Sequence, residues 1–368
     1  MRRSSRREGL LFLTGCLLWF GAAAQAQDAH DCFISEDLLD HAGLTLVWQN
    51  ALPIKAGEKF DTMELLNDRL YVRSDRNYTW SLDRNTGKMV FSKAIAPAGF
   101  PILGWEVHAD RLICVIDNQI VQLDVNSGTE KQVTDLKLGI VAPPVRNSQF
   151  FYVSASDRRL HAFRAKDMVE LFKVAAENDS LITTVLADEQ MVVFGTDAGN
   201  LIGITADGPR KLWEFKAVDA IAGPVVRDGN SFIFADRDMS VYRVDVSEPP
   251  RVDLAWKLQA EGILDRPPLV TQSIVYQYAP GRGLAAVNKQ SGQAVWALRE
   301  GNDLLAEAGG KAYVITKQKT MAVMDNTSGR RLFWVNFAPV ANHAANAMDA
   351  KIYVADAQGH VACLTPAR

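Results

Sequence analysis

Six histidines, four cysteines and a regular series of aspartates are the residues of this chain whose types could support chemistry. His30, His41, His108, His161, His343 and His360 are dispersed, with no His-Glu-x-x-His pair of the kind that sets two imidazoles on one helical face for zinc. Neither a Cys-x-x-Cys, a Gly-x-Ser-x-Gly elbow nor a glycine-rich phosphate loop occurs. Asp75, Asp117, Asp157, Asp197 and Asp236 each follow an apolar β-run. That recurrence is turn chemistry, since a short acid side chain bonds the backbone of a tight turn. The sequence assigns no catalytic, cofactor-binding or metal-ligating residue, and a non-enzyme is the expectation. A triad assembled in space from distant positions stays open, because such groups need not be close in sequence.

The elements that would have to position any such group come from a unit of about 40 residues that recurs eight times. Each copy has an apolar β-run, a polar turn, a second β-run ending in an acidic or polar residue, a turn with Gly, and an aromatic. The first copy reads Leu70-Tyr71-Val72, Trp80-Ser81-Leu82-Asp83, Thr86-Gly87, Phe91; the sixth reads Ile274-Val275-Tyr276, Ala286-Val287-Asn288, Ser291-Gly292, Trp296. The aligned position falls at Asp83, Asp124, Arg164, Thr205, Asp245, Asn288, Asp325 and Thr365, in steps of 41, 40, 41, 40, 43, 37 and 40 residues. With the run that precedes it, each unit reads as a four-stranded antiparallel sheet. In the third copy the strands are expected at 143–146, 150–154, 160–163 and 171–174.

Four short strands cannot bury both faces alone, so the units must pack face to face around a ring. The expected fold is an all-β, eight-bladed β-propeller over 44–368. Phe91, Phe172, Trp213, Trp296 and Phe333 stand eight residues past the aligned position and suit packing between blades. Trp256 comes three residues late, and Gln132 breaks the pattern in copy two. The last copy stops after Thr365 without a fourth strand, while Leu44 to Gln49 forms a strand without partners. That N-terminal strand is expected to complete the eighth sheet and remove an open edge. Before it, in the segment 27–43, Ser35 is placed to cap a short helix over Glu36 to Ala42 that ends at Gly43.

Residues 1–26 read as an export signal. Arg2, Arg3, Arg6 and Arg7 precede the apolar run from Leu10 to Ala24, and Ala24-Gln25-Ala26 is a cleavage site. That run falls short of the roughly 20 apolar residues of a membrane span, and no later segment is longer. Leu13-Thr14-Gly15-Cys16 matches a lipobox, but the apolar run continues past the cysteine where a polar tether belongs. Cleavage after Ala26 is the expectation and lipid anchoring at Cys16 the alternative. Removing residues 1–26 moves the net charge from −3 to −6, which gives no support to nucleic-acid binding. Cys32, Cys114 and Cys363 would remain, an odd number, with the last two read as small core residues.

The stretch from Ser81 to Phe91 resembles the tryptophan-docking repeat of the PQQ-like, or quinoprotein-like, β-propellers. Ala286 to Trp296 and Asp325 to Phe333 match it again. The resemblance implies the propeller fold over the mature chain and points to the family's non-enzymatic, BamB-like branch. The family's dehydrogenases are longer; many use adjacent cysteines and all need a Ca²⁺ site, neither of which can be read in this sequence. The functional expectation is therefore an exported scaffold in the periplasm or cell envelope that binds a protein or peptide, as a monomer without cofactor. The alternative is a propeller that binds quinone, metal or carbohydrate, including a PQQ-dependent oxidoreductase. Arg76, Tyr78, Arg158, Arg282 and Lys317 are bulky groups in turns and candidate contacts, though not assigned as a site.

Overall fold

The computed structural model describes residues 32–221, 223–264 and 266–367. Residues 1–26, read from the sequence as an export signal, lie outside the described residues, as do Cys16 within them and His30. Eight four-stranded antiparallel sheets follow one another along the chain, an eight-bladed β-propeller. In the first blade the strands are Phe60–Leu66, Arg69–Ser74, Tyr78–Asp83 and Met89–Ala94. The first strand of each blade is innermost: 60–66 lies against 342–344, 145–146 against 182–187, and 226–228 against 269–270. In the third blade the inner strand is only Val145–Arg146, because Pro143 and Pro144 cannot donate to a ladder.

The eighth blade is composite. Leu44–Ala51 pairs with His360–Pro366, which continues to Ile352–Ala355 and Asn342–Ala344. Ahead of it, the Glu36–Ala42 helix is capped by Ser35, whose side chain accepts from the Leu38 N–H, and stops at left-handed Gly43. Ile34, Leu39 and Leu44 are buried with Leu305, Tyr313, Val340 and Leu364, so this segment seals the junction of the seventh and eighth blades.

The repeat has a physical cause at its aligned acid. Asp83 Oδ1 accepts from the N–H groups of Asn85 (3.0 Å) and Thr86 (2.8 Å) and from Thr86 Oγ1 (2.9 Å). Asp124, Asn288 and Asp325 hold their turns in the same way. The glycine that follows seats the aromatic of the blade before. A Cβ on Gly87 would lie 2.5 Å from Trp48 Cδ2, one on Gly128 2.6 Å from Phe91 Cδ2, and one on Gly292 2.5 Å from Trp256 Cγ. The indole N–H groups of Trp48 and Trp256 donate to the carbonyls of Arg84 (3.1 Å) and Lys289 (2.8 Å), and that of Trp296 to Asn326 Oδ1 (2.8 Å). Tyrosines of the second strands make a parallel bridge, Tyr353 to the Arg84 carbonyl at 3.1 Å and Tyr152 to that of Ala206 at 2.6 Å. At these junctions buried rings bolt one blade to the next, and the polar ends of Trp48, Trp256, Trp296, Tyr353 and Tyr152 stay bonded.

Candidate functional site

Turns between second and third strands share one face with the blade-to-blade connections. Arg76, Arg158, Arg282 and Lys317 lie in those turns, whereas Tyr78, expected in a turn, opens the strand Tyr78–Asp83; most of the five brace the face itself. Arg158 Nη1 donates to the Asp179 carbonyl at 2.7 Å. Arg282 pairs with Glu261 at 2.8 Å and bonds its carbonyl. The Tyr78 hydroxyl meets Ser92 at 3.2 Å. Lys317 and Arg266 stand 5.4 and 4.0 Å from the centre of the Tyr278 ring. Arg76 is exposed at the tip of its turn. On the same face the blade-to-blade connections expose Phe100 at 50%, Val218 at 66% and Ile263 at 68%. Those three apolar side chains were not singled out from the sequence, where an isolated apolar residue in a loop gives no sign of its exposure.

The aspartates of these turns act on the backbone. Asp356 Oδ1 accepts from the N–H groups of Gln358, Gly359 and His360 at 2.8–2.9 Å. Asp197 and Asp75 accept from the N–H groups of Leu181 and Lys59. Three histidines answer carboxylates: His161 with Asp157 at 3.0 Å, His360 with Asp356 at 2.6 Å, and His343 with Asp303 at 3.3 Å. The last pair joins the inner strands of the seventh and eighth blades.

A cleft of about 280 Å³ opens in the inner wall beside Trp105, Glu106, Pro143, Pro144 and Leu186. Burial pushes the Glu106 carboxyl up to about 7, against the pull of Arg146. Such a value suits proton transfer, yet apolar side chains and prolines dominate the cleft, so desolvation explains it. Cys114 and Cys363 are buried, their thiols pushed up to about 12 by desolvation, and the three described cysteines are unpaired. Such thiols are poor nucleophiles. Among the described residues no three His, Cys, Asp or Glu side chains gather to hold a metal ion. A hard cation bound beside a quinone needs several oxygen ligands, and these residues do not fit one.

No family model and no curated protein matches the chain. Solved structures do. The crystal structure of BamB from Moraxella catarrhalis superposes with a TM-score of 0.64 at 14% identity, over 88% of this chain and 97% of that one. The fold is a BamB-like propeller. A computationally designed protein, Ika8, gives a TM-score of 0.65 at 13% identity, over 86% of this chain and 98% of that one. A designed chain and a natural one fit equally well, so the likeness carries architecture and no site.

Proposed function

We propose that this chain is an exported, non-catalytic propeller that presents its connection face to a protein or peptide partner in the cell envelope. In this reading residues 1–26 are the export signal, 27–43 an N-terminal segment and 44–368 the propeller. One observation carries the binding reading: Phe100, Val218 and Ile263 are exposed on the face that also holds Arg76, Arg158 and Lys317. Exposed apolar side chains on a face that also carries cations suit a contact surface, and the BamB-like fold is consistent with it. Among the described residues no helix is long and apolar enough to cross a membrane. The test places a photo-crosslinking residue at Val218 or Ile263 in the native host, with Leu254 on the outer strand of the fifth blade as the control position. A discrete adduct from the face and none from Leu254 is the expected result. Equal labelling from all three positions, or none, would reject the reading.

A further inference from the structure

The second and third blades meet differently from the junctions described above. Gln132 stands where a ring should close the second blade. Met168 stands where the third blade should offer glycine, at a positive φ of 57°. Both halves of the docking pair are therefore replaced. A ring docked as Phe91 docks on Gly128 would collide with the Met168 Cβ, by the 2.6 Å approach seen at Gly128.

What occupies the junction instead is a polar cleft of about 430 Å³, within the size range of small-ligand sites. Its lining includes Arg111, Lys131, Arg146 and Lys166 with a single carboxylate, Asp110. Arg111 Nε reaches Asp110 at 3.4 Å, while its Nη1 is buried without a hydrogen-bond partner. Arg146 lies 4.7 Å over the Phe151 ring and donates to the carbonyls of Asn147 and Ser148. Further acids bear on these cations: Asp124 pairs with Lys131, and Glu189 and Glu106 act on Arg146, which leaves Arg111 and Lys166 as the less compensated charges. Asp124, 3.4 Å from Lys131, accepts from the N–H groups of Asn126 and Ser127, and Glu189 accepts from the Ser148 N–H at 2.9 Å. Gln122 and Gln132 bond each other at 3.3 Å and form a neutral polar wall.

We propose that this inter-blade cleft is a binding site for a small anion carrying two or more carboxylate or phosphate groups. Arg111, whose side chain keeps 31% exposure in the cleft lining, is the anchor, since guanidinium pairs with planar or tetrahedral oxyanions through directed N–H bonds. Lys166 closes the rim as a point charge, with Lys131 beside it paired to Asp124. Ring-on-glycine docking at the eighth-to-first, first-to-second and fifth-to-sixth junctions shows what a ring at 132 would do for blade adhesion, and its absence here leaves room and charge together. The site lies on the face opposite the apolar connections, so it is independent of the partner-binding reading.

Calorimetric titration of the purified protein at low salt tests this, with pyrophosphate in one arm and citrate in the other. Saturable one-to-one binding of either anion, weakened by salt, is expected; which arm binds tells phosphate from carboxylate. Lys166→Glu, at an exposed turn position, should weaken it about tenfold, and Arg111→Gln by at least as much. The pair Gln132→Trp with Met168→Gly should fill the cleft and abolish binding. Saturable binding of neither anion, or affinity unchanged in Lys166→Glu and Arg111→Gln alike, would overturn the proposal.

Discussion

A methyl group decides whether a blade turn can accept a ring. Gly128 carries φ +66° and would place a Cβ against Phe91, whereas Gly309 carries φ +56° and has open space around its would-be Cβ. Gly309→Ala should lose only the left-handed backbone penalty, about 1 kcal/mol. Gly128→Ala should lose that plus the overpacking of a buried ring, for a total of about 2–4 kcal/mol. Urea midpoints of the two variants read the difference, and equal losses would remove the docking role given to glycine. Glu106 gives a second residue-scale test. Its folded pKa is raised, so the unfolded chain releases this proton at lower pH than the folded one does. Its contribution to stability is greatest below the unfolded value and is lost as pH rises through about 7. Glu106→Gln should therefore stabilise the protein at pH 8, by on the order of 2 kcal/mol, with the gain vanishing near pH 4.5. A gain independent of pH would show that the carboxyl is not the source.

At the scale of elements, the N-terminal segment is held by burial as well as by pairing. Ile34 is fully buried in the seventh-to-eighth blade junction, and the Phe33 N–H donates to Gln49 Oε1 at 3.0 Å. Truncation through residue 34 should thus cost about 2–5 kcal/mol, the scale of losing one large core side chain. Truncation through residue 50 removes the outer strand of the eighth blade and should abolish cooperative melting. Differential scanning calorimetry separates the two, and an intact transition after the longer cut would show the outer strand to be dispensable. The same elements show how far the sequence could be read. Ser35 and Gly43 mark the helix ends by local chemistry, and Asp83, Asp124, Asn288 and Asp325 mark the ends of their third strands because each builds its own turn. Gln132 was visible as a break in the aromatic series. Its consequence was not, because Met168, Arg111 and Arg146 meet it only through the pairing of separate blades. Glu106 was equally hidden, since its burial depends on Pro143 and Pro144 from the next blade.

At the scale of the whole molecule, the ring leaves little backbone outside its sheets. The stretches joining successive blades, such as 95–101, 176–181, 299–300 and 337–341, are short, and their polar groups largely brace neighbouring turns. A quinone pocket with Ca²⁺ would need several carboxylate or amide oxygens and a flat platform converging on one point. Asp236 is engaged with Tyr242 at 2.8 Å and Asp303 with His343. The expected outcome is therefore no stoichiometric, Ca²⁺-dependent complex with PQQ and no dye reduction with alcohols or aldoses. Absorbance of bound quinone after gel filtration, with and without Ca²⁺, checks this. A Ca²⁺-dependent complex would place a cofactor site in the ring and reverse the scaffold reading. Weak binding that ignores Ca²⁺ but falls in Lys166→Glu would have another meaning. PQQ is itself a polycarboxylate, and such binding would report the cationic cleft between the second and third blades.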